Sequence, residues 1–185
     1  MIEHLRAHDY REQPWKNGGG LTREIAVALS DEATPRVLWR VSLATIERDG
    51  PFSEFRGYDR TIVAIDGGPV ELDVEDQSVR LGRAEPYEFP GEAQVTCRLR
   101  AGAARDLNVM TLRDGYAHDV EIVTSMQRFV LDEDEIVFVY AIEGEATALD
   151  SVCGDGDTLA LQADDDDTIE VRTSGLAAVV RITPL

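Results

Sequence analysis

Apolar and polar positions alternate with a period of two through many short stretches of this chain, and no long segment carries helical periodicity. Within residues 37–46, Trp39, Val41, Leu43 and Thr45 share one side of an extended strand, and Arg40, Ser42 and Ala44 share the other. Further strands are predicted at 23–28, 60–65, 70–74, 95–99, 107–112, 136–142, 158–161, 168–172 and 177–182. Turn signals separate them, among them Gly18-Gly19-Gly20, Asp49-Gly50-Pro51, Asp66-Gly67-Gly68-Pro69 and Gly154-Asp155-Gly156-Asp157. Many short strands with frequent turns predict a sandwich or barrel. One short helical turn is expected near 52–55, and the aspartate run 164–167 is expected to cap an exposed loop.

The pattern repeats. Residues 61–68 resemble 137–144, residues 95–99 resemble 169–173, and residues 107–111 resemble 179–183, each at an offset of about 75 residues. Two similar β halves predict a duplicated barrel or jelly-roll unit, of which the cupins are the commonest single-chain case. The crossing between halves is expected within 113–120, giving an N-terminal barrel at 1–112 and a C-terminal half at 113–185, with strand exchange between them left open.

Charge narrows the partners. The net charge is −18, and Lys16 is the sole lysine. Such a surface repels nucleic acid and anionic membranes, whose affinity for proteins comes from neutralised phosphates. The longest apolar run, 136–142, is too short to span a bilayer, and residues 1–10 lack the apolar core of a secretory signal. The two cysteines form no CxxC pair: Cys97 falls in an alternating segment and is expected to be buried and inert, and Cys153 falls in a Gly/Asp turn. A reduced, cytoplasmic protein is the simplest expectation.

Metal chemistry finds no anchor. The three histidines, His4, His8 and His118, show no HxH spacing, are read as lying outside the barrel strands, and leave no cluster for a transition metal. Asp155, Asp157 and the 164–167 run lack calcium-loop spacing and read as solvated turns. No metal and no cofactor is expected.

The densest unusual segment is Pro14-Trp15-Lys16-Asn17-Gly18-Gly19-Gly20-Leu21-Thr22-Arg23-Glu24-Ile25. Consecutive glycines permit either a tight hairpin turn or a nest of N–H groups that holds an anion. Arg40 and Ser42 share a strand side that faces either solvent or a cavity. Inside a cavity the guanidinium needs an acid, either Glu24 or a bound carboxylate.

That block, with the strand Trp39-Arg40-x-Ser42-x-Ala44-x-Ile46, the stretch Gly50-Pro51-Phe52-Ser53-x-Phe55-x-Gly57-Tyr58-Asp59-Arg60 and the later Asp106-Leu107-Asn108-Val109-Met110, resembles the HutD/Ves family. The resemblance is sharp from Trp15 to Met110 and diffuse beyond. It implies an all-β bicupin fold, two cupin or jelly-roll barrels in one chain. It also implies a role in histidine utilisation as a small-molecule-responsive modulator. The expected activity is metal-independent binding of a carboxylate such as formimino-glutamate, urocanate or a simpler acid. Arg40 would take the carboxylate, and Arg60 of the same motif set is a further ligand-binding candidate. Asn17, Ser42 and Asn108 would add neutral hydrogen bonds, and Trp15, Phe52 and Phe55 would wall the pocket. Thr22, Arg23 and Glu24 would contribute directly or brace these groups. The alternatives are a metal-free isomerase or hydrolase with Glu24 as base and Arg40 stabilising negative charge, and a structural or interaction protein, for which cupin-type sheets offer a homodimer.

Overall fold

A computed structural model describes residues 2–163 and 168–185. The aspartate run 164–167, expected to cap a loop, lies outside the described residues. The chain forms two compact units, Arg11–Gly115 on one side and Met1–Tyr10 with Tyr116–Leu185 on the other. The boundary thus falls at 115/116 rather than 112/113, and the first ten residues belong with the C-terminal half.

Strands β1 (Ile2–Leu5), β2 (Arg11–Pro14), β3 (Gly20–Leu29), β4 (Val37–Ile46), β5 (Gly50–Pro51), β6 (Tyr58–Gly67), β7 (Val70–Val74), β8 (Gln77–Leu81), β9 (Pro86–Pro90), β10 (Val95–Leu99) and β11 (Ala104–Leu112) precede the boundary. After it come β12 (Tyr116–Val123), β13 (Met126–Val130), β14 (Ile136–Glu143), β15 (Ala146–Ala148), β16 (Ser151–Cys153), β17 (Thr158–Gln162), β18 (Thr168–Thr173) and β19 (Leu176–Pro184). Among the described residues the one helical element is a 3₁₀ turn at Ala7–Asp9, and the turn expected near 52–55 is absent. His4 and His118 lie in β1 and β12, contrary to the loop positions expected for them, and Cys153 closes β16 as a buried residue.

Each unit pairs a large sheet with a four-stranded one. In Arg11–Gly115 the orders are β2-β3-β4-β11-β6-β9 and β5-β10-β7-β8. Between the sheets lies a core that includes Ile46, Ile62, Leu72, Leu81, Phe89, Val95 and Cys97. In the other unit the orders are β1-β17-β14-β19-β12 and β13-β18-β15-β16, around Val137, Val139, Leu159, Val171 and Val179. Strands β4 to β11 therefore recur as β12 to β19 in the same spatial order. The N-terminal unit adds β2 and β3 beside β4. The C-terminal unit instead takes β1 onto its opposite edge, where Ile2 pairs with Leu161 and Leu5 with Thr158.

Matching bulges fix the structural equivalence. In β6 the bulge skips Ile65, so Ala64 pairs with Asp106 and Asp66 with Arg105. In β14 it skips Ile142, so Ala141 pairs with Ala177 and Glu143 with Leu176. Asp106 thus corresponds to Ala177, Asn108 to Val179 and Arg60 to Val137. The sequence repeat aligned Thr61 with Val137 and Leu107 with Val179, one residue off in each strand. With a side-chain period of two, that slip exchanges the two faces of the sheet.

Candidate functional site

The six-stranded sheet aligns inward-facing side chains in cross-strand rows. One row runs Gln13, Thr22, Ala44, Asp106 and Ala64; the next runs Glu24, Ser42, Asn108 and Ile62. A third runs Arg40, Met110, Arg60 and Phe89. These rows follow from alternation along β4, β6 and β11. The opposite side carries Val41, Leu43, Val63, Leu107 and Val109, all buried. The Arg40/Ser42 side of β4 therefore faces the interior of its unit, which the sequence left undecided.

That side opens into a cavity of about 590 Å³. Its floor is Arg40, Ser42, Arg60, Asp106 and Asn108, with Ala44 between. Its walls are Trp15, Lys16, Asn17 and Thr22 on one side and Phe52, Ser53 and Phe55 on the other, with Gln13, Pro14 and Pro51 at the margin. Nine of the predicted site residues thus meet here: Trp15, Asn17, Thr22, Arg40, Ser42, Phe52, Phe55, Arg60 and Asn108.

Two do not line it. Arg23 lies on the other face of β3 and pairs with Glu12 at 3.3 Å, because odd and even positions of a strand point to opposite sides. Glu24 lies on the cavity side of β3, opposite Ser42, and its charge acts on Arg40, yet it stands outside the lining.

The triple glycine is a turn rather than an anion nest. Gly18 N–H donates to Trp15 O at 3.0 Å, and Gly19 N–H donates to Asn17 Oδ1 at 2.9 Å. Two of the donors a nest would need are spent inside the turn. Arg48 caps its carbonyls by donating to Gly18 O. Gly18 has φ of +64°, and a Cβ at Gly20 would stand 2.2 Å from Thr45 O, so these two positions need glycine. What the turn does is place Trp15, whose indole N–H donates to Thr22 Oγ1 at 2.8 Å.

The electrostatics centre on three groups. Arg60 is 5% exposed, donates from Nη1 to Ser53 O at 3.1 Å, and lies over the rings of Phe89 (4.8 Å), Phe55 (5.1 Å) and Phe52 (5.8 Å). Arg40 lies 5.6 Å from the Phe55 ring centre. Such faces partly replace the water a guanidinium loses on burial. Even so, Nε of Arg40, Nε of Arg60 and Oδ1 of Asp106 are buried with no hydrogen-bond partner. Burial pulls Arg60 down to about 10, partly offset by Asp106 and deepened by Arg40. Burial pushes Asp106 up to about 7 against the pull of Arg60. Asp106 is the residue that sequence reasoning missed. Its signal was parity: it shares the strand side of Asn108, two residues on along β11.

Among the described residues no group of three or more His, Cys, Asp or Glu side chains could hold a metal ion. The Arg11–Gly115 unit contains no histidine at all. Among the described residues no helix is long and apolar enough to cross a membrane.

A family model described as HutD matches residues 7–179. The chain belongs to the HutD family. It is 44% identical over 111 residues to an uncharacterised 21.2 kDa protein in the hutC 3′ region of Pseudomonas putida, and 40% identical over 111 residues to protein Ves of Citrobacter koseri. These matches cover 60% and 57% of this chain and span 58% and 57% of the relatives' own length. Over its full length the fold matches HutD from Pseudomonas fluorescens SBW25, solved in a formate condition, with a TM-score of 0.90, 33% identity and complete coverage of both chains. A pirin from Escherichia coli, solved with nickel(II), has a TM-score of 0.68 at 11% identity, covering 100% of this chain and 99% of its own, which shows the shared fold alone. The HutD chain is a bicupin.

Proposed function

We propose that this HutD-family chain binds a small carboxylate in the cavity of its N-terminal unit, without a metal, and that the bound state modulates histidine utilisation. The single observation that carries this reading is the pair Arg40 and Arg60. Two guanidinium groups face one cavity with a buried Nε each unpartnered. Leaving such donors unpaired is costly, and a carboxylate is the acceptor that matches guanidinium geometry. Asn108, Ser42 and the side-chain NH2 of Asn17, whose Oδ1 is held by Gly19, supply neutral contacts around it, and Phe52, Phe55 and Trp15 exclude water and strengthen them. The formate condition of the P. fluorescens HutD structure and the hutC-region position of the P. putida relative support the ligand class and the pathway.

Isothermal titration calorimetry with formate, glutamate, urocanate and formimino-glutamate tests the reading. At least one is expected to bind wild type, and Arg40→Ala is expected to weaken it. Folded protein that gives no heat with any of the four rejects the proposal.

A second reading, a metal-free isomerase or hydrolase, is favoured by one observation. A buried carboxyl near neutrality shares its cavity with two arginines and feels the charge of Arg60, groups that an acid–base residue and a stabilised anion would need. The group in question is Asp106 rather than Glu24. Incubation of urocanate and formimino-glutamate with wild type and Asp106→Asn separates the readings: product formed by wild type alone establishes turnover, and unchanged compounds leave binding.

A further inference from the structure

The cavity is not uniformly cationic. Asp106 lies on the Thr22–Ala44–Ala64 row, four residues along β11 from Met110, which stands between the two arginines. In an extended strand that separation is roughly 13 Å at the backbone; the charge of Arg60 still acts on Asp106, but no ion pair joins them, so the carboxyl group is left as a recognition element of its own. Asp106 is 5% exposed, and its Oδ1 has no hydrogen-bond partner. No N–H or O–H of the protein satisfies that atom. The polar groups beside it, Thr22 and Asn108, line the same cavity, and the Thr22 hydroxyl already accepts from Trp15. A buried acceptor left open in the same cavity as two open donors describes a ligand that carries both an acceptor and a donor.

We infer that the ligand is bifunctional: its carboxylate meets Arg40 and Arg60, and an N–H donor at its other end meets Asp106. This rests on the carboxylate reading above and adds a second recognition element to it. The pairing gives a reason for Asp106 to persist at this depth. A site meant only for anions would be stronger without a carboxyl group in it, because an ionised acid beside the ligand opposes a second negative charge. A donor-bearing ligand turns that cost into selectivity, since a site built to accept a hydrogen bond rejects an isostere that cannot donate one. Ser42 and Asn108, on the row between the two ends, suit the middle of such a molecule.

Two acrylates of nearly equal size separate the ends. Urocanate carries a ring N–H; 3-(2-furyl)acrylate has a ring oxygen and no donor. Titration of both, with formate as the reference carboxylate, is done at about pH 8, where the carboxyl group is ionised. Wild type is expected to prefer urocanate by at least about tenfold, the size of one hydrogen bond to a charged acceptor. Asp106→Ala is expected to bring the two within about threefold by weakening urocanate alone. Asp106→Asn, which keeps an acceptor and the side-chain volume, is expected to fall between and serves if the alanine variant does not fold. Equal binding of the two acrylates by wild type overturns the inference. So does binding of formate with neither acrylate, or a preference that survives in Asp106→Ala. No binding of any carboxylate, formate included, overturns the underlying reading instead.

Discussion

Arg60 and Asp106 face one cavity from neighbouring strands, each buried and each with an atom, Nε and Oδ1, that no protein group satisfies. Two opposite charges at such depth would ordinarily close on each other, because each alone is costly to bury. Here the guanidinium instead lies over Phe89, Phe55 and Phe52 and donates to Ser53 O. Aromatic faces hold the cation and leave its polar edge available. This predicts a separation of binding from stability at position 60. Arg60→Met keeps the apolar stem and removes the buried charge. At about pH 6, where Asp106 is largely neutral, its stability is expected to match or exceed wild type. Its affinity for formate is expected to fall at least about tenfold. Urea denaturation and calorimetry on the same samples check both. A large loss of stability with unchanged affinity would assign Arg60 to the scaffold.

Asp106 makes stability depend on pH in a direction unusual for a carboxyl group. Its folded value of about 7 lies above its ordinary 3.8, so between the two the folded chain holds a proton that the unfolded chain has released. The contribution is complete below the ordinary value and is lost as pH rises, gone by about 7. The charged groups that act on it or share its cavity are Arg60, Arg40 and Lys16, while Cys97, itself pushed up to about 12 by burial and by Asp106, senses it from the core. Between about pH 5 and about pH 8 wild type is expected to lose on the order of 2–3 kcal/mol more than Asp106→Asn does. Comparing the two removes the contribution of surface pairs such as Arg113–Glu92, which titrate alike in both. Parallel pH profiles for the two proteins would remove the buried-acid description.

The alternation of β4 was plain in the sequence, but its inward face was not. Arg40-x-Ser42-x-Ala44 reads as readily as a solvent side, because a strand with both faces buried gives no polar side to reason from. Resemblance brought nine cavity residues together. It also carried in Arg23, since a motif lists consecutive residues whereas a strand sends them to opposite sides. Asp106 went unselected although it shares parity with Asn108. The duplication was legible in order and spacing. Its register was not, because two consecutive glycines, Gly67 and Gly68, stand against Gly144 and the repeat matched the second of them, whereas Gly67 and Gly144 are the equivalent positive-φ positions after the matching bulges. Short strands such as β5, β15 and β16 carry too few residues to show a period at all.

The glycine turn is predicted to act on the cavity through Trp15. A Cβ at position 20 would meet Thr45 O at 2.2 Å and the Trp15 ring at 3.1 Å, so backbone and indole cannot both stay in place. Gly20→Ala is expected to cost about 2–4 kcal/mol, within the range of strained backbone positions, and to weaken formate binding as the indole shifts away from Thr22. Gly50→Ala is the control: nothing lies within 4 Å of a Cβ there, and the change is expected to stay within about 0.5 kcal/mol. Thermal unfolding and tryptophan emission report the two effects. Equal behaviour of the two variants would detach the turn from the site.

One duplicated sheet kept a polar interior and the other filled it, and a reciprocal exchange reads that difference directly. Asn108 corresponds to Val179, Asp106 to Ala177 and Arg60 to Val137, the second member of each pair being fully buried in the C-terminal core. Val179→Asn places an amide in the buried apolar cluster that contains Val139, Leu159 and Ala177. The expected cost is about 1–3 kcal/mol or more. Asn108→Val removes an amide from the lining of an open cavity and leaves no new buried polar group, so its stability is expected to stay within about 1 kcal/mol of wild type while carboxylate affinity falls. Chemical denaturation of both single variants checks the asymmetry. Comparable losses at the two positions would mean that the polar rows of the N-terminal sheet are as tightly packed as the apolar rows of its copy, leaving no room there for a ligand.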